Sequence, residues 1–241
     1  MTSPDSPARV EVHPDAATLA TAVAGEFVNR VADLQAAGDV PQVCLTGGTI
    51  ADAIHREIAR LADDSGIDWG AVDFWFGDER FVEPHSADRN VGQARAAFLD
   101  EVGVPGHRIH EMASPAEAAS VAEGAASYAA HLPSRFDIVM LGVGPDGHIA
   151  SLFPGFAQLD ETTALAVGVT GSPKPPPERI SLTFPALRRG QSVWLLVSGE
   201  PKAAAVAAAL GDADLHAIPA AGVAGSEETI WFLDREAASQ L

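Results

Sequence analysis

Apolar residues along this chain follow two rhythms. Short continuous runs at Gln42–Leu45, Val72–Phe76, Phe136–Leu141, Ile180–Phe184, Val193–Val197 and Thr229–Leu233 are rich in β-branched and aromatic residues. Runs of that length and composition predict buried strands. Between them, Ala16–Ala36, Ile50–Ala62, Val91–Glu101, Pro115–Ala130 and Pro201–Leu210 carry good helix formers at helical spacing. Strand and helix alternate, which calls for right-handed crossovers and parallel pairing. The expected fold is α/β: a single domain, residues 1–241, on a Rossmann-like, mostly parallel sheet with helices on both faces. Ligands of such sheets bind outside the carboxyl ends of the strands, so the residues that follow each strand carry the functional question.

The strongest break in the pattern is Gly168–Glu178, GVTGSPKPPPE, whose four prolines cannot feed a helix or a ladder with hydrogen bonds. It reads as a loop: either a plain surface connection or, because Arg179 follows it, a loop lining the mouth of a site. No internal repeat or long linker is visible.

Composition narrows the partners. Hydrophobic residues make up 47% and charged residues 20%, ordinary values for a chain with a full core. The net charge of −18 would be repelled by nucleic acid and by an anionic membrane, so neither is expected as a partner. No apolar run reaches 18 residues, and the first 20 residues lack a basic segment followed by an apolar one. The lone cysteine, Cys44, lies in an apolar run and reads as a small buried hydrophobe rather than a nucleophile. The expected setting is cytoplasmic, with the chain a monomer or a small homo-oligomer. In so acidic a protein, cations near a site are deliberate, and only two lysines exist, Lys174 and Lys202.

Four predicted strand ends carry unusual residues. After the first comes Thr46-Gly47-Gly48-Thr49, where two glycines permit a tight turn, two threonines bring hydroxyls, and a helix N-terminus offers free N–H groups. This is a fair anion cradle or an ordinary strand-to-helix turn; it is neither a Walker loop nor a dinucleotide fingerprint. Next stands Asp78-Glu79-Arg80, three charges that folding does not need, either site residues or a solvated turn with a local ion pair, followed further on by Asn90, a helix cap or a polar site residue. The third is GVGPDGHIASLFPG, Gly142 to Gly155, in which a strand breaks into a glycine-rich turn holding Asp146 and His148. Asp146 can fix the imidazole tautomer and leave the other nitrogen as a base near neutral pH, or it can cap the turn. No second ligand lies at metal spacing, so no metal is expected. Last come Arg179, before a strand, and Lys202, in the first turn of a helix, where a cation is mildly unfavourable without an anion to meet. A cradle, two or three cations and one base fit hydrolysis or isomerisation of a small phosphosugar.

In this order, TGGT, GDERFV, GVGPDGHIASLFPG, RISLTFPAL and SGEPKAAAV resemble the 6-phosphogluconolactonase family, from about Val10 to Leu233. The wider group includes glucosamine-6-phosphate deaminases, whose DGH is followed by Phe-Asn-Glu-Pro. Here Phe153 stands in place of that glutamate, and Arg80 stands where the deaminase pattern has a tyrosine after its acidic pair. One departure from the lactonase pattern is Arg89-Asn90, where Ser-Asn is frequent.

The resemblance implies hydrolysis of a phosphorylated sugar lactone with no metal or organic cofactor. It implies His148 as general base, Asp146 as its orienting partner and Arg80 as a donor to the developing oxyanion or to the phosphate. The phosphate would be held by Thr46, Gly47, Gly48, Thr49, Arg179 and Lys202, with Asp78 and Asn90 as further polar contacts. The competing readings are a deaminase or isomerase acting on a hexosamine phosphate, and a phosphosugar-sensing domain without catalysis; the presence of His148 argues against the latter.

Overall fold

The apolar runs at Gln42, Phe136, Val193 and Thr229 do become adjacent strands. The computed structural model describes residues 8–241; residues 1–7, the front of the stretch read above for a leader, lie outside it. In chain order the elements are β1 (Arg9–His13), α1 (Ala16–Ala36), β2 (Gln42–Leu45), α2 (Thr49–Leu61), β3 (Asp73–Phe76), β4 (Asp78–Arg80) and α3 (Asn90–Ala94). There follow α4 (Val121–Ala129), β5 (Phe136–Gly142), β6 (Ala166–Val169), β7 (Arg179–Leu182), α5 (Phe184–Leu187), β8 (Gly190–Val197), α6 (Ala203–Leu210) and β9 (Glu228–Asp234). Six strands form a sheet in the order β1-β9-β8-β5-β2-β3, every pair parallel. A second sheet, β4-β7-β6, is antiparallel.

Because side chains alternate across a strand, the large sheet feeds two cores. Val43, Leu45, Phe74, Phe76, Ile138, Met140, Trp194 and Phe232 pack with α1, α2 and α3. Their neighbours Cys44, Trp75, Val139, Leu141, Leu195 and Trp231 pack on the other face with α4, α6 and the small sheet. Cys44 is fully buried, and burial pushes its thiol well above the ordinary range, in keeping with a packing role. No described helix is long and apolar enough to cross a membrane.

Four sequence expectations need correction. The run at Ile180 is not a strand of the parallel sheet: β7 pairs antiparallel with β4 and β6 and ends at Leu182, whose N–H still donates to Gly77 O (2.8 Å) in register with β4. Phe184 then opens α5, with Pro185 in its first turn. The helix expected from Pro115 begins at Val121, where Ser120 accepts from the Glu123 N–H (3.2 Å) as N-cap; Ser114 and Glu117 tie the preceding residues into a turn instead. The helix expected over Val91–Glu101 is α only to Ala94 and widens to a π-turn over Arg95–Leu99. Gly168 and Val169, placed above in a loop, end β6.

Candidate active site

The carboxyl ends of β2, β3, β5 and β8 meet at one cleft of about 300 Å³, bounded on its remaining side by the small sheet. Thr46, Gly47, Gly48, Thr49, Asp78, Arg80, Asn90, His148, Arg179 and Lys202, separated by up to 156 positions in sequence, all line it. Asp146 stands immediately behind His148. Two residues that the strand-end reasoning did not single out as contacts, Lys174 and Pro175, also line it, so the Pro-rich loop does form part of the mouth.

The floor is the β2–α2 turn. Thr46 Oγ1 accepts from Gly142 N–H (3.3 Å), tying the end of β2 to the end of β5. Helix α2 starts after Gly48 with no side-chain cap, so its first N–H groups are free to meet a ligand anion. Gly47 is required by its neighbour: a Cβ there would overlap Asn90 Oδ1.

The Asp146–His148 turn hangs from β5. Gly144 N–H donates to His148 O (2.9 Å) and Gly147 N–H to Gly144 O (2.9 Å), folding Asp146 and His148 back onto Gly144. A Cβ on Gly144 would overlap both side chains, so only glycine admits this pairing. His148 Nδ1 and Asp146 Oδ1 are in hydrogen-bond contact. Burial raises the Asp146 carboxyl, but the bond from His148 and the charge of Lys174 outweigh it and hold it below the usual range. Asp146 is therefore ionised and can only accept, so the proton between them sits on Nδ1 and Nε2 is the basic nitrogen. Burial lowers the imidazole below its ordinary value against the pull of Asp146, which leaves it neutral near pH 7. The Phe153 ring packs on it at 4.8 Å between centroids and is itself 1% exposed.

The small sheet brings the cations. Arg80, on β4, donates through Nη1 to Asp88 O (2.9 Å) and to Asn90 Oδ1, and its Nε is buried without a partner. Asn90 donates in turn to Asp78 O (2.8 Å), and Asp78 accepts from Ser151 Oγ (2.6 Å). Ser151 was missed by sequence reasoning; a serine inside an apolar run, ASLF, was the available signal. Arg179, on β7, spends Nε and Nη2 on the carbonyls of Lys174, Pro175 and Pro176 and turns Nη1 toward Ser151 and Asp78 (3.5 and 3.7 Å). It is thus largely committed to protein partners. Lys202 is half-buried; burial lowers its ammonium against Asp234, and Lys174 adds to the drop.

Glu79 overturns the expectation that folding does not need the three charges. It is 1% exposed, and its carboxylate accepts from the N–H groups of Arg80, Asn90 and Val91 (2.7–3.0 Å), starting α3. Burial raises its carboxyl despite those donors and Arg89. Arg89 turns away from the cleft to Met112 O (2.6 Å), Glu79 and Glu111, so it replaces no hydroxyl in the site.

A histidine made basic at one nitrogen, beside an uncapped helix N-terminus and several cations at a sheet's carboxyl edge, defines an α/β enzyme for small anionic substrates. Comparison with known proteins narrows the class. The model of the glucosamine-6-phosphate isomerases/6-phosphogluconolactonase family matches residues 14–231. A 6-phosphogluconolactonase of Streptomyces coelicolor is 44% identical over 98% of this chain and 95% of its own length. One of Mycobacterium tuberculosis is 42% identical over 96% and 98%. The crystal structure of the Thermotoga maritima 6-phosphogluconolactonase superposes with a TM-score of 0.83, covering 94% of this chain and 99% of its own; at 23% identity that likeness speaks for the fold. The chain belongs to this family, on its 6-phosphogluconolactonase side.

Proposed function

We propose that this protein hydrolyses 6-phospho-D-glucono-1,5-lactone to 6-phospho-D-gluconate, the second step of the oxidative pentose phosphate pathway, as a single cytoplasmic domain. The observation that carries the reading is His148, lining the cleft with its Nδ1 in hydrogen-bond contact with Asp146, an arrangement that makes Nε2 the basic nitrogen of an imidazole whose protonation burial disfavours. Nε2 takes a proton from water as the water oxygen attacks the C1 carbonyl. The carbonyl electrons move to the exocyclic oxygen, which becomes an alkoxide. When the carbonyl re-forms, the C1–ring oxygen bond breaks, and the imidazolium returns its proton to the leaving oxygen. Acid–base help of this kind is worth roughly 10²–10⁴-fold.

Arg80, oriented by Asp88 and Asn90, is the donor for the alkoxide. The phosphate rests on the first turn of α2 with Thr46, Thr49 and Lys202, where the helix dipole and the ammonium both favour an anion. Arg179 contributes charge from behind. Phe153 fills with an apolar ring the place where a deaminase carries its glutamate, which supports water attack over amine chemistry.

The test is product formation from freshly generated lactone, corrected for its spontaneous opening. Acceleration at catalytic enzyme concentration is expected. A rate equal to the spontaneous one, or ammonia release from glucosamine 6-phosphate, overturns the reading.

A further inference from the structure

The Pro-rich loop reaches the catalytic pair with a charge. Lys174 Nζ lies 3.3 Å from His148 Nδ1 and 3.7 Å from Asp146 Oδ1, although 26 residues separate it from the histidine. It cannot donate to Nδ1, whose hydrogen already points at Asp146, so the ammonium acts there as a neighbouring charge and as an ion partner of the carboxylate.

The loop is built to hold this position. Lys174 N–H donates to Ser172 Oγ (3.2 Å), Ser172 Oγ donates to Lys174 O (2.9 Å), and Ser172 N–H donates to Pro177 O (3.0 Å). The Arg179 guanidinium then threads the loop from inside, donating to three consecutive carbonyls at 3.1–3.2 Å. A guanidinium can serve several carbonyls from one plane, whereas an ammonium has no such fork.

We propose that Lys174 is a positioning residue for the hydrolytic reaction, a cation held by Arg179 beside the Asp146–His148 pair to keep the imidazole in its basic form. A positive charge at that distance opposes protonation of His148 and also draws off part of the attraction of Asp146. Both effects act in one direction. The charged groups nearest in effect to His148 are Asp146 from its own turn, Lys174 from the β6–β7 loop and Asp78 from β4; Arg80, Arg179 and Lys202 line the same cleft, and Lys174 is the cation set within 3.3 Å of the ring. The catalytic part of this proposal rests on the function above; the electrostatic part does not.

The experiment is an imidazole titration of the ligand-free protein by NMR, with His148→Gln assigning the resonance, repeated in Lys174→Met, Lys174→Gln and Lys174→Arg. Both neutral variants should raise the His148 midpoint by about 0.5–1 pH unit, and Lys174→Arg should keep it near wild type. Arg179→Lys, which keeps the charge and loses the fork, should shift it in the same direction as Lys174→Met. The acid limb of kcat/KM for the lactone should move up with the midpoint, while kcat above that limb changes less than KM. An unmoved midpoint in both neutral variants overturns the proposal, as does an equal shift in Lys174→Arg. A moved midpoint in a protein without lactonase activity would leave the charge device standing and remove the function; an active enzyme with an unmoved midpoint would do the reverse.

Discussion

The two sheets supply the site in different ways. The parallel sheet offers groups from turns beyond its strands: Thr46–Thr49 after β2, Asp146 and His148 after β5, Lys202 after β8. The antiparallel sheet offers groups from within or beside its strands: Asp78 and Arg80 on β4, Arg179 on β7, Lys174 in the loop before β7. Backbone N–H groups, the Asp146–His148 pair and one cation come from the first, three side-chain cations from the second. A turn at a parallel-sheet edge has free backbone groups to give, because no further strand consumes them. A strand in a ladder has only its side chain to give.

Substitutions should separate these contributions. The largest loss is expected in the parallel half: His148→Ala should cut kcat by about 10²–10⁴-fold with the far-UV circular dichroism unchanged. Near-wild-type turnover would take the base away from that half altogether. Gly144→Ala, which pushes a Cβ into both members of the pair, should cost about 10²-fold in kcat without touching substrate. In the antiparallel half the effect should fall on stability. Arg89→Met strands Glu79, and chemical denaturation should show a loss of about 3 kcal/mol with the fold of the remaining protein and its KM little altered. A matching loss of kcat at unchanged stability would show Arg89 to be part of the site after all. The smallest effect is expected for Lys202→Ala, a rise in KM of about 10–100-fold with kcat nearly kept, as for loss of one charged hydrogen bond. An unchanged KM would move the phosphate to the cations of the small sheet.

The legibility of the two halves differs for a physical reason. β2, β5, β8 and β9 are buried on both faces, so their middles are continuous apolar runs that stand out in sequence, with polar residues such as Gln42, Asp137, Ser192 and Asp234 confined to their ends. The turns after them break that pattern with glycine and polar residues, which is why the TGGT and DGH turns were readable. β4 is three residues long and made of Asp, Glu and Arg, a composition that no hydrophobic pattern can find. β6 is only four residues long and contains Gly168, and β7 looks in sequence like any strand of the parallel sheet. Their pairing is decided by contacts far apart in the chain, such as Asp78 beside Ser181. Glu79 illustrates the limit: in sequence it is one of three charges that folding does not need, yet its carboxylate is buried against the start of α3.

By itself the sequence determined the class of fold, the family and which turns line the cleft, because local pattern controls which residues end a buried strand and what chemistry they bring. Only the tertiary structure decided the partners of those residues. It turned Arg179 toward the loop carbonyls, sent Arg89 and Glu79 inward, joined Ser151 to Asp78, and set Lys174 beside His148. A side chain's charge is written in its identity, whereas the neighbour that charge acts on is chosen by packing across the whole chain.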